Sequence, residues 1–161
     1  MYSLLVVLEC EAYLFSFNNT YDVCKKPTLI KKFETMENLN GLGCLLISRN
    51  TSSVILPGTV DNSIQIYDIT NDNYFEYGLE HKPTIIAGNA HAGVFAWSDK
   101  DGKQIWVHNI EDGSLYKTFN RGKSSVEITS IAFDRYWFRM AVASKKETVH
   151  VFSLPKELAL N

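Results

Sequence analysis

The sequence predicts an all-β chain folded as a partial β-propeller of about three to four blades, in one domain spanning residues 1–161. Three observations carry that expectation. Apolar and aromatic runs are short, and turn-forming clusters separate them: "NNT", "SRNTSS", "PGTVDNS", "TNDN", "SDKDG" and "EDGS". No window of about a dozen residues keeps a helical period. One strand motif also recurs, as "AYLFS" from Ala12, "IQIYD" from Ile64, "IWVHN" from Ile105 and "VHVFS" from Val149, with starts 52, 41 and 44 residues apart. That spacing is close to the roughly 40–45 residues of a four-stranded propeller blade. A β-sandwich has equally short strands and is the competing fold; the repeat favours the propeller.

Taken in order, the elements follow from local chemistry. "YSLLVVL" is apolar but short, has no basic residue before it and runs into Glu9, so it reads as a buried strand rather than a leader or a membrane span. "VILP" turns through "GTVDNS" into "IQIYDI". "VFAW" turns through "SDKDGK" into "QIWVHNI", and "EDG" turns again into "SLYKTF". "MAVAS" turns through "KKE" into "TVHVF", a turn without glycine, so any left-handed residue there is mildly costly. Four such units use up the chain, and the first is incomplete. Open strand edges at both ends are expected to favour self-association.

With 45% hydrophobic and 21% charged residues, the chain is composed like a globular protein with a real core. The net charge of −2 gives no general attraction for nucleic acid. The charge is uneven: residues from Arg121 onward carry seven Lys/Arg against four Asp/Glu, so that a +3 segment follows a −5 segment. A basic C-terminal quarter suits an anionic partner. The three cysteines, Cys10, Cys24 and Cys44, are odd in number and show no metal-binding spacing, which fits a reducing compartment.

The chain carries no recognisable catalytic motif. No GxSxG nucleophile motif is present, and His81, His91 and His108 lack zinc-site spacing. Asp99, Asp101, Glu111 and Asp112 sit in hairpin turns without the closing glutamate of a calcium loop. Trp97, Trp106 and Trp137 read as propeller packing rather than a nucleic-acid stacking platform. The sequence therefore predicts a binding protein with no enzyme activity, no cofactor and no metal.

Several stretches together resemble one family. "LLVVLECEAYLFSF", "FETMENLNGLGCL", "SVILPGT", "IQIYDI", "SDKDGKQIWVHNIEDGSLYKTFNRG" and "SKKETVHVFSL" are similar, in order along the chain, to the PROPPINs. These are seven-bladed, WD-repeat-like propellers that bind phosphatidylinositol 3-phosphate and phosphatidylinositol 3,5-bisphosphate. The resemblance implies a cytoplasmic scaffold of autophagy or of endosomal or vacuolar membrane traffic. It would be peripheral on those membranes and would have autophagy or trafficking proteins as partners.

The family motif Phe/Leu-Arg-Arg-Gly corresponds here to Phe119-Asn120-Arg121-Gly122. The resemblance implies that Arg121 serves one headgroup pocket and that Asn120 marks a lost ligand of a second. The first pocket would add Ser144, Thr148 and His150 from "SKKETVH", with Glu147 in the place of a glycine. Thr148 and His150 are two apart on a strand and share a face. Hydroxyls, an imidazole and a guanidinium suit a phosphate rich in acceptor oxygens. The second, weaker pocket would draw on His81, Ser98 and Lys103, with Trp106 where the family has arginine. The alternative is a protein-interaction propeller whose lipid sites have decayed.

Overall fold

The computed structural model describes residues 2–17, 26–49, 52–134 and 139–154. Among the described residues fourteen strands are ordered as β1(Tyr2–Val7), β2(Glu11–Phe17), β3(Thr28–Glu34), β4(Cys44–Ile47), β5(Ser52–Pro57), β6(Ser63–Asp68) and β7(Asn73–Gly78). They continue as β8(Ile85–Asn89), β9(Val94–Ser98), β10(Gln104–Asn109), β11(Leu115–Asn120), β12(Ile128–Phe133), β13(Arg139–Ser144) and β14(Val149–Ser153). They form sheets of three, four, four and three antiparallel strands, β1–β3, β4–β7, β8–β11 and β12–β14, each a meander in chain order. We call these sheets blades 1 to 4. Their leading strands β1, β4, β8 and β12 lie side by side in succession. The recurring sequence motif falls once in each blade, on β2, β6, β10 and β14.

Apolar side chains fill the spaces between blades, and strand alternation assigns them. On β5, Val54 and Leu56 pack with Ala12, Leu14 and Phe33 of blade 1. Ile55, between them, packs with Phe95 and Trp97 of blade 3. On β9, Phe95 and Trp97 point back to blade 2, whereas Val94 and Ala96 join Ile128, Met140 and Val142 of blade 4. Both faces of the inner blades are therefore covered. This explains why β5 and β6 are buried almost throughout although period two would leave a solvent face on a one-sided sheet. Full burial of each such aliphatic side chain contributes about 1.5–3 kcal/mol. Gln65 adds a polar tie across the first interface: its Nε2 donates to the carbonyls of Glu34 and Pro57, each at 2.7 Å.

One expectation is modified. The opening strand forms, but it is an edge strand, with Tyr2 71% and Leu4 44% exposed, because only β2 pairs with it. The glycine-free turn does use a left-handed residue, Glu147, at φ 57°. Cys10 and Cys44 are free thiols; Cys24 and Trp137 lie outside the described residues.

Candidate headgroup site and the neighbouring cleft

The site region is organised by the link from β11 to β12. Arg121 follows β11 directly, and its backbone N–H donates to the Lys103 carbonyl at 2.8 Å. Its side chain is buried at 8% exposure. Nε donates to the Gly102 carbonyl at 2.5 Å, and Nη2 donates to the Ser124 carbonyl. Further along, Val126 N–H donates to the Asp101 carbonyl at 2.9 Å. The link is thus stitched to the β9–β10 turn of blade 3. Gly102 permits this approach: it sits at φ +55°, and a Cβ there would come 2.0 Å from the Val126 carbonyl oxygen.

The other side of the same link meets blade 4. Lys145 N–H donates to the Glu127 carbonyl at 3.0 Å, and the Lys145 ammonium pairs with the Glu127 carboxylate at 2.6 Å. Lys146 Nζ lies 3.3 Å from Ser124 Oγ. Inside the β13–β14 turn, the hydroxyls of Ser144 and Thr148 are 3.0 Å apart. The turn closes through Glu147 N–H to the Ser144 carbonyl and Ser144 N–H to the Thr148 carbonyl, both at 3.1 Å. His150 is half-buried and stacks on Phe152 at 6.4 Å, and Phe152 contacts Phe119 of β11 at 5.1 Å. The face carrying Thr148, His150 and Phe152 therefore turns towards blade 3, while Val149 and Val151 on the opposite face are 65% and 62% exposed.

The four expected residues thus divide. Ser144, Thr148 and His150 share one turn and one strand face. Arg121 lies on the adjoining link with two of its nitrogens already committed, and no hydrogen bond joins it to the other three among the described residues. Sequence reasoning places Lys123 or Lys145 near this pocket and names Lys146 only as part of the turn. The structure shows Lys146 bridging the turn to the link, which the repeated lysines alone do not reveal.

The second expected site opens as a cleft of about 750 Å³ between blades 2 and 3. His81 and Lys103 line it, as does Asn120. Ser98 does not: it is fully buried, and its hydroxyl donates to the Gln104 carbonyl at 2.8 Å. Trp106, half-buried, forms part of the wall and stacks on Trp97 with centroids 4.3 Å apart and planes at 17°. Among the described residues no group of three or more His, Cys, Asp or Glu is placed to hold a metal, and no helix is long and apolar enough to cross a membrane.

Fold and site together define an arc of a β-propeller with rim features between its blades. No protein-family model matches the chain. It is 28% identical to SVP1-like protein 2 of Pichia angusta over 157 residues, which is 94% of this chain and 42% of that protein. It is 26% identical to autophagy-related protein 18e of Arabidopsis thaliana over 156 residues, covering 96% and 40% respectively. Among solved structures, Kluyveromyces lactis Hsv2 superposes with a TM-score of 0.78 at 17% identity, over 98% of this chain and 48% of that one. The chain is similar to these proteins along nearly its whole length, and it spans less than half the length of the curated relatives it matches.

Proposed function

We propose that the chain acts as an autophagy-related propeller scaffold, with no catalytic role, that takes a 3-phosphorylated inositol headgroup on the rim between blades 3 and 4. The carrying observation is the pair of hydroxyls of Ser144 and Thr148, 3.0 Å apart on a turn next to Lys146 and the Arg121 link. One hydroxyl of the pair donates to the other, so the turn offers a phosphate one free O–H, which joins the Lys146 ammonium and the His150 imidazole. Bonds to a charged phosphate are worth about 1.5–3 kcal/mol each. Arg121 would act mainly by fixing the link, with Nη1 its remaining free donor group among the described residues. On this reading the protein sits peripherally on autophagosomal, endosomal or vacuolar membranes and meets autophagy or trafficking proteins there.

Liposome flotation with and without phosphatidylinositol 3-phosphate tests the proposal. Wild type should float only with the lipid, and the Ser144→Ala/Thr148→Ala double variant should lose most of that binding.

One observation favours a second reading. The Arg121 guanidinium is spent on two backbone carbonyls rather than held open to solvent. On that reading the rim is a structural joint, and the chain works as a protein-interaction propeller without a lipid site. Absence of flotation by a folded wild-type chain would establish it.

A further inference from the structure

The cleft between blades 2 and 3 carries a different chemistry, and it can be read independently of the headgroup site. Its aromatic wall is Trp106, held between Trp97 at 4.3 Å and His81 at 5.9 Å. Its charges nearly cancel. Lys103 lies 3.6 Å from the Asp101 carboxylate. The Asp99 carboxylate is occupied within its own turn, accepting from the N–H groups of Asp101 at 3.1 Å and Gly102 at 3.0 Å. That leaves Lys82 and Lys100, both exposed, against Glu80 alone, with no ion-pair partner for any of the three among the described residues. Among the described residues no arginine lines the space.

This arrangement suits a polyphosphorylated headgroup poorly. Such a ligand would find no guanidinium fork among the described residues to bind its phosphates bidentately. It suits a peptide well. Gln104 Nε2 donates to Asn120 Oδ1 at 3.2 Å, which leaves the Gln104 side-chain oxygen and the Asn120 side-chain nitrogen without partners among the described residues. One acceptor and one donor, side by side on neighbouring strands, match the donor and acceptor of a peptide main chain. The part of the Trp106 indole that lines the cleft offers stacking area to an aromatic side chain. The uncommitted lysines favour an acidic residue beside it. A volume of about 750 Å³ is enough for a few residues.

We propose that this cleft docks an extended acidic peptide segment bearing an aromatic side chain, which stacks on Trp106 while its carboxylates face Lys82 and Lys100. The probe is a phage-displayed library of random peptides panned on the whole chain. Recovered peptides are then titrated by fluorescence anisotropy. Recovered sequences should pair an aromatic residue with Asp or Glu. The Lys82→Glu/Lys100→Glu variant, altered only at exposed positions, should bind them about tenfold or more weakly. Trp106→Phe should bind better than Trp106→Ala, and circular dichroism should confirm that both are folded. Water-soluble phosphatidylinositol 3-phosphate should not displace the peptide. The proposal is overturned if the selected peptides lack the acidic–aromatic pattern. It is equally overturned if the double lysine variant binds them as wild type does, or if the soluble headgroup competes for the cleft.

Discussion

Arg121 donates through Nε to the carbonyl of Gly102, 19 residues earlier in the chain, across a 2.5 Å contact that is shielded from solvent. The bond joins the link after β11 to the turn before β10, so the residue expected to meet lipid also holds the rim together. Arg121→Ala removes both carbonyl contacts at a buried position and should destabilise the chain by about 1–3 kcal/mol. Arg121→Lys should recover only part of this, because an ammonium cannot reach two carbonyls from a planar fork. Urea denaturation followed by tryptophan fluorescence measures both.

Gly102 should be as sensitive as its partner. A side chain there needs a left-handed backbone and places Cβ against the Val126 carbonyl oxygen. Gly102→Ala should cost at least about 1–3 kcal/mol and loosen the link, seen as faster amide exchange at Val126. Gly122 is open: a Cβ there would meet no atom within 4 Å, so alanine should be accepted with little change.

His108 gives the fold a pH dependence. It is buried at 8% exposure among Tyr77, Phe95 and Trp97. Burial lowers its pKa, and the hydrogen bond between Nδ1 and the Gly113 carbonyl only partly opposes this. The folded chain therefore keeps His108 neutral where the unfolded chain takes up a proton, near the ordinary histidine value of about 6.5. The unfolded state binds more protons, so stability is full above that value and falls as the pH drops below it. Thermal melts between about pH 7.5 and 5.5 should show this decline. His108→Phe should flatten it.

Glu76 knots the β5–β6 turn. Its Oε1 accepts from Thr59 N–H at 2.8 Å and from the Ser63 hydroxyl at 2.5 Å, and its Oε2 accepts from the Thr59 hydroxyl at 2.9 Å and the Tyr74 hydroxyl at 3.0 Å. Burial alone would raise its pKa, but these hydrogen bonds outweigh it and hold the carboxyl below its usual range. Glu76→Gln turns one acceptor into a donor facing other donors and should destabilise by about 1–3 kcal/mol. In wild type this contribution should fade as the pH falls through the lowered carboxyl value.

Much of the architecture was legible in the chain because propeller blades repeat. The motif ending in Ser16, Asp68, Asn109 and Ser153 marked one strand per blade, and period two put Thr148 and His150 on one face. What the sequence hid depends on contacts distant along the chain. The Arg121 side chain is directed by carbonyls of Gly102 and Ser124, which no local pattern announces. Ser98 turns inward because the hairpin register brings the Gln104 carbonyl to it. Trp106 reads in sequence both as packing and as standing where the resembled family has a pocket arginine, and its stacking on Trp97 at the cleft wall accounts for both.

The central claim is that the Ser144–Thr148 rim binds a phosphoinositide headgroup, and flotation of purified, folded chain with liposomes at fixed salt tests it most directly. With phosphatidylinositol 3-phosphate present, wild type and Lys82→Glu/Lys100→Glu should both float, whereas Ser144→Ala/Thr148→Ala should stay in the soluble fraction. Equal flotation of wild type and Ser144→Ala/Thr148→Ala, or failure of wild type to float at all, would contradict the claim.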